Sequence, residues 1–190
     1  MSVPAMLPHE REYQPFPDVP RRNFMQESLE VPALTRLLEV PPGGDVLEIG
    51  CGRGVALPPL HTLLQPQSLV GLDIDAELVA IARERVRARH IPAIVHEGDV
   101  RAMPFADQSF DLVIDFGTCH HIAQPDLALR EIVRVLRPGG IFISETVTSQ
   151  LLSHPMRTRG RRLPWDTAPE LVTIRDRVLW KARVRLALHR

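Results

Sequence analysis

The chain has 190 residues, 44% hydrophobic and 24% charged, with 23 basic against 23 acidic side chains. That length suits one domain with a sizeable core, and formal neutrality argues against a nucleic-acid binder, which ordinarily carries a basic excess. Cys51 and Cys119 cannot staple a disulfide framework, and no Cys/His cluster has zinc-site spacing. The opening MSVPAMLPHE lacks the basic start and apolar run of a secretory signal, and no apolar stretch reaches the ~18 residues of a membrane span. A cytoplasmic protein is therefore expected. The neutral total hides a polarised chain: residues 1–150 hold 13 basic and 20 acidic residues, and residues 151–190 hold 10 basic and 3 acidic.

Residues 1–22 are rich in proline and charge and are predicted to be irregular. From Asn23 to Glu39 the pattern is helical, with Phe24, Leu29, Leu34, Leu37 and Leu38 on one face and Pro32 breaking or kinking the run. Pro41-Pro42-Gly43-Gly44 stops it. Val46 to Ile49 is a predicted strand running into Gly50-Cys51-Gly52-Arg53-Gly54, then a helix with Pro58 and Pro59 in its first turn. Ser68 to Ile74 is the second strand, and Asp75 is placed to cap a helix over Ala76 to His90 through Leu78, Val79, Ala82 and Val86. Ala93 to His96 is the third strand, Glu97 to Asp107 a loop, and Phe110 to Phe116 the fourth strand. A helix over Asp126 to Leu136, a turn at Arg137-Pro138-Gly139-Gly140 and a fifth strand over Ile141 to Glu145 complete the pattern. Alternating strands and helices make this an α/β chain with a parallel sheet covered on both faces. Such sheets bind ligands beyond the carboxyl ends of their strands, where strand order reverses.

The first such loop carries the strongest signal. Its glycines permit unusual backbone angles and let a ligand approach the main chain. Asp73 lies 21 residues after Gly52, where an acid can accept from both hydroxyls of a ribose. Asp99, after the third strand, can accept from an adenine amino group. Together they describe a nucleoside pocket. A dinucleotide fingerprint would need Gly or Ala where Val55 stands, and no Gly-Lys-Ser/Thr phosphate loop is present. Glu48, just before the loop, would repel a pyrophosphate but suits a cationic ligand.

VLEIGCGRG (46–54), GLDID (71–75), EGDVRAMPFADQSFDLVIDFGTCHHI (97–122) and LRPGGIFISE (136–145) resemble the class I S-adenosylmethionine-dependent methyltransferases. The likeness is to their small-molecule branch, the ubiquinone- and menaquinone-biosynthesis type (type 11). It implies a Rossmann-like three-layer α/β/α sandwich with a mostly parallel sheet, and S-adenosylmethionine as cofactor. It also implies roles. Glu48, Gly50, Cys51 and Gly52 would border the methionine portion and ribose. Asp73 would hold the ribose hydroxyls, with Ile74 against the adenine. Asp99 would meet the adenine amino group beside the Val100 backbone, and Asp115 and Phe116 would face the cofactor's amino-acid end. His120 and His121, just past strand four, are the candidate catalytic bases.

Strand four ends Asp115-Phe116-Gly117-Thr118 and not in the Asn/Asp-Pro-Pro-Tyr/Phe stretch typical of nucleobase amino-group methyltransferases, so the expected acceptor is a small molecule and not nucleic acid. The family's C-terminal antiparallel hairpin is expected to be reduced or missing, leaving strand five with an edge that the basic tail or a second copy would cover. The chain thus divides into an N-terminal arm and cap helix (1–40), a methyltransferase core (41–150) and a basic tail (151–190). A cofactor-binding module without turnover and a nucleotide-dependent oxidoreductase are the alternative readings.

Overall fold

The structure, a computed structural model, describes residues 19–37, 40–119 and 122–144. The hairpin expected to be missing, the basic tail, Leu38, His120, His121 and Glu145 lie outside these residues. The described chain opens with helix α1 (Val19–Met25), a π-helical stretch (Gln26–Glu30) and helix α2 (Val31–Leu37). Pro32 does not break this run. It falls in the first turn of α2, where a missing N–H is tolerated, and the helix widens just upstream, with Val31 N donating to Gln26 O. An inserted residue rotates the upstream turns by ~100° relative to the downstream ones. The described members of the apolar face expected from the sequence, Phe24, Leu29 and Leu34, therefore do not share one environment. Val31 and Leu34 are buried, whereas Phe24 is 64% and Leu29 47% exposed.

Beyond α2 the described residues form five strands: β1 (Asp45–Ile49), β2 (Ser68–Asp73), β3 (Ala93–Glu97), β4 (Phe110–Asp115) and β5 (Leu136–Ser144). They pair in the order β3-β2-β1-β4-β5, and every pairing is parallel. Helices α3 (Leu57–Leu64), α4 (Ala76–Ala88) and α5 (Pro125–Val135) connect them. Proline in the opening turn of α3 costs no intrahelical hydrogen bond. Asp75 caps α4, its side chain accepting from the N–H groups of Glu77 and Leu78.

Alternation along the strands sorts side chains to two faces. Val46, Leu69, Val95, Leu112 and Ile114 pack with Val31 and Leu34 of α2, Leu57 and Leu60 of α3, and Val79, Ala82 and Val86 of α4. Leu47, Ile49, Val70, Leu72, Val113 and Phe142 pack on the other face with Ala128, Ile132 and Val135 of α5. The α/β/α layering inferred from sequence is thus present. Arg83 of α4 donates from Nε (3.0 Å) and Nη2 (2.9 Å) to the Val95 carbonyl of β3, which occupies a backbone acceptor on the strand that is outermost among the described residues.

One predicted element changes. Arg137-Pro138-Gly139-Gly140 is not a turn before strand five but a bulge within it, because Leu136 already pairs with Phe110 and Ile141 with Leu112. Arg137 holds the bulge by donating to Asp111 Oδ2 (2.7 Å) and pairing with Asp45 Oδ2 (2.8 Å). Gly139 there has φ +83°. Such an insertion bends a strand without ending its pairing.

Candidate cofactor site

Strand order reverses between β1 and β4, so the crevice beyond their carboxyl ends is where a ligand is expected. Two positive-φ glycines of the β1 loop shape it. A Cβ at Gly50 would overlap Thr118 Oγ1, and Thr118 Oγ1 donates to the Ile49 carbonyl at 3.3 Å. The loops after β1 and β4 therefore interlock at a residue without a side chain. Gly52 (φ +51°) differs: a Cβ there would meet nothing within 4 Å. Its N–H donates to Asp73 Oδ2 at 2.7 Å, and Asp73 Oδ1 accepts from Asp75 N at 2.9 Å.

Pairing sets Glu48 of β1 next to Gly71 of β2 and Ile114 of β4, and its carboxyl is buried with Oε2 lacking a hydrogen-bond partner. Burial first, then the nearby charges of Asp73 and Asp115, pushes Glu48 well above its ordinary pKa. Burial also raises Asp73, against the lowering effect of N–H groups from Asp75, Gly52 and Ile74. Three carboxyl groups thus converge at one end of the sheet, one of them with an open acceptor. Beside them, burial and the charges of Glu48 and Asp73 push the Cys51 thiol up, and burial and Asp115 do the same to Cys119. Neither thiol is a ready nucleophile.

Asp115 is fully buried and engaged. Oδ1 accepts from Gly117 N (2.9 Å) and Thr118 N, and Oδ2 from Cys119 N (3.3 Å) and Ser144 Oγ (2.9 Å). Its geometry is that of a group that folds the loop after β4. Phe116, next along, is half-buried and packs against the α2–α3–α4 face.

On the other flank, Ile74 is 46% exposed at the tip of β2, while Val100 is buried in the α5-side core. Asp99 accepts from Arg101: Nε at 3.0 Å to each oxygen, Nη2 at 2.7 Å and the backbone N–H at 2.8 Å. Burial raises this carboxyl, but the Arg101 bonds prevail and hold it below the ordinary aspartate value. Arg101 Nη1 also reaches the Ala123 carbonyl at 3.4 Å, spanning to the segment before α5.

The sequence-predicted residues Glu48, Gly50, Cys51, Gly52, Asp73, Ile74, Asp99, Val100, Asp115 and Phe116 all lie at the carboxyl ends of β1 to β4 or in the loops just beyond them. Thr118, Ser144 and Arg101 were missed. The spacing Asp99-Val100-Arg101 is itself a local turn signal, whereas the Ser144–Asp115 bond joins residues 29 apart and has no local signature.

A methyltransferase-domain family model matches residues 47–144. Over 101 residues the chain is 35% identical to a fatty-acid O-methyltransferase of Mycolicibacterium smegmatis, covering 53% of this chain and 36% of that protein. Over 100 residues it is 37% identical to a phthiotriol/phenolphthiotriol dimycocerosates methyltransferase of Mycobacterium tuberculosis, with the same two coverages. The matched part thus spans little more than a third of either relative's length. Among solved structures, an S-adenosylmethionine-dependent methyltransferase from Aquifex aeolicus shares the fold, with a TM-score of 0.59 at 22% identity over 64% of this chain and 65% of that one. A mostly parallel α/β/α sheet, a glycine bend against an acid-tipped second strand and a family match over residues 47–144 lead to one conclusion: the chain belongs to the methyltransferase-domain family, in its type 11 branch.

Proposed function

We propose that the chain binds S-adenosylmethionine across the carboxyl ends of β1, β2 and β4 and catalyses methyl transfer to a small-molecule acceptor. The observation that carries this reading is the buried, unpartnered Oε2 of Glu48 between Asp73 and Asp115. A buried carboxyl with an open acceptor is costly until a donor or cation meets it, and an amino-acid-bearing sulfonium compound supplies both. The open space over Gly52 admits a ligand to the main chain, and Asp73 retains acceptor capacity toward ribose hydroxyls. Ile74 offers an exposed apolar surface to a purine face.

The cofactor, when bound, supplies a methyl group on an already activated leaving group. The chain's own task is then to orient the acceptor, exclude water and accept a proton where the acceptor must lose one. His120 and His121 are the groups assigned to that last step. Residues 1–40 and 151–190 flank the core, and acceptor selection is assigned to them. The names of the two mycobacterial relatives favour a lipid-like acceptor. Among the described residues no helix is long and apolar enough to cross a membrane, and the free thiols of Cys51 and Cys119 accord with a reducing cytoplasm. β5 pairs with β4 on one side among the described residues, so a homo-oligomer closing its other side is proposed, with light scattering as its test.

Titration calorimetry with S-adenosylmethionine, S-adenosylhomocysteine and NAD, followed by a methyl-transfer assay on fatty acids, phenols and amines, tests the reading. Binding of both sulfur compounds with transfer to one acceptor class supports it. Binding without transfer to any class replaces it with a cofactor-holding module. Preference for NAD, disfavoured by the buried Val55 in place of a glycine or alanine, overturns it.

A further inference from the structure

The stretch from Gly98 to Ser109, between β3 and β4, carries Asp99 and Val100 but contains no helix or strand. A connection of this length without regular structure must be held by specific bonds or it will wander. Its start is tied to the sheet, Gly98 N donating to the Asp73 carbonyl at 2.9 Å. Its far part is tied to α5 by the side chains of Arg134 and Glu131 and by two main-chain bonds.

Arg134 uses every donor it has. Nε donates to Glu131 Oε1 (2.7 Å), Nη1 to the Phe105 carbonyl (2.8 Å) and Asp107 Oδ1 (2.7 Å), and Nη2 to the Met103 carbonyl (3.1 Å) and Glu131 Oε2 (2.8 Å). Glu131 closes the circuit by accepting from Met103 N at 2.7 Å. The main chain adds Gln108 N to Arg134 O (2.9 Å) and Ser109 N to Val135 O (2.8 Å). Two loop carbonyls and the Asp107 carboxylate are thus met by a planar fork whose five donors have fixed directions, and the Met103 amide by the Glu131 carboxylate that the fork holds. Lysine has three donors and no plane, so it cannot reproduce the pattern. Met103 and Val100 are both buried in the α5-side core, which makes the loop's path from the clamp back to Asp99 short and packed.

We propose that the Arg134–Glu131 pair is a positioning clamp for the adenine-reading loop: it sets where Asp99 stands and thereby the selectivity for a 6-amino purine. The inference rests on the proposed adenosyl site. Neither side chain is assigned a contact with cofactor or acceptor.

The test compares S-adenosylhomocysteine with S-inosylhomocysteine, in which a keto group replaces the adenine amino group, by calorimetry on the full chain. The proteins are wild type, Arg134→Gln, Arg134→Lys and the exposed neighbour Arg130→Gln. Wild type and Arg130→Gln should discriminate alike. Arg134→Gln should weaken S-adenosylhomocysteine ~10-fold and shrink the adenine-over-inosine ratio toward unity, roughly the loss of one charge-assisted bond. Arg134→Lys should fall between. General destabilisation, measured separately by thermal melts, lowers the folded fraction for both ligands and leaves their ratio unmoved. If Arg134→Gln does not fold, the ratio in Arg134→Lys decides. An unchanged ratio in whichever Arg134 variant folds overturns the clamp, whereas failure of wild type to bind S-adenosylhomocysteine overturns the proposed function instead.

Discussion

Replacing Asp73 with alanine is the most informative single perturbation. Each of its oxygens accepts one backbone N–H, from Gly52 (2.7 Å) and Asp75 (2.9 Å). An ionised carboxylate offers about four acceptor positions, so beside the Gly52, Asp75 and Ile74 N–H groups acceptor capacity remains for two vicinal hydroxyls to share. Hydrogen bonds to a charged group contribute ~1.5–3 kcal/mol each. Losing two therefore weakens binding by ~3–6 kcal/mol, or roughly 10²- to 10⁴-fold in Kd. Stability should suffer less. The two N–H groups lose their acceptor at ~1 kcal/mol apiece, but deletion also removes a negative charge that raises the neighbouring Glu48. Calorimetric titration of S-adenosylhomocysteine into Asp73→Ala and wild type, with thermal melts to establish folding, measures both quantities. A folded variant that binds within about threefold of wild type, well under one hydrogen bond's worth, would refute the assignment of Asp73 to the ribose.

The glycine bend separates packing from ligand space. Gly50→Ala should prevent folding or sharply lower the melting temperature, since its Cβ overlaps Thr118. Gly52→Ala carries only the ~1–2 kcal/mol of a left-handed L-residue, yet should weaken cofactor binding by more than its melt suggests. Glu48 makes the ligand-free protein sensitive to pH. Its folded pKa lies above the ordinary 4.5, so the folded state holds a proton that the unfolded state releases, and its contribution to stability is complete below the unfolded value and lost as pH rises through the folded one. Urea unfolding across that window should show wild type losing stability and Glu48→Gln holding a flatter profile. Binding a cationic ligand should reverse the preference and release protons, visible as buffer-dependent heats in calorimetry; heats independent of the buffer's ionisation enthalpy would contradict this. Ser144→Ala removes a bond to the buried Asp115 Oδ2 and should lower unfolding free energy by ~1–2 kcal/mol, measured by denaturant titration.

Much of the fold was legible because its signals are local. Short apolar runs ending in glycine or acid, helical spacing through Val79, Ala82 and Val86, and the Asp75 cap all depend on near neighbours, and each stands in the folded chain. The failures are equally physical. Proline was expected to break or kink the first helix at Pro32; the helix continues past it but widens just upstream, and Phe24 and Leu29 are exposed. Arg137-Pro138-Gly139-Gly140 has turn composition, yet lateral pairing of Leu136 and Ile141 with β4 holds it inside a strand. Propensity reports what a segment tolerates; its partner decides what it does.

The same division runs through the site. The order of acids and glycines along the chain determined that a nucleoside with a positive charge is the ligand to test, because the loop after each strand of a parallel sheet emerges at the same sheet end. Only the tertiary structure decided how those acids divide the work. Asp115 is consumed in folding a loop around Thr118 and Ser144, Asp99 is already paired with Arg101, and among the described residues Glu48 alone is left with an unmet buried oxygen. The Asp115–Ser144 bond and the burial of Glu48 between β2 and β4 come from residues far apart in sequence, whereas the Asp99–Arg101 and Asp115–Thr118 bonds are local. In a crowded interior a carboxylate's partners, and not its identity, set its charge and availability.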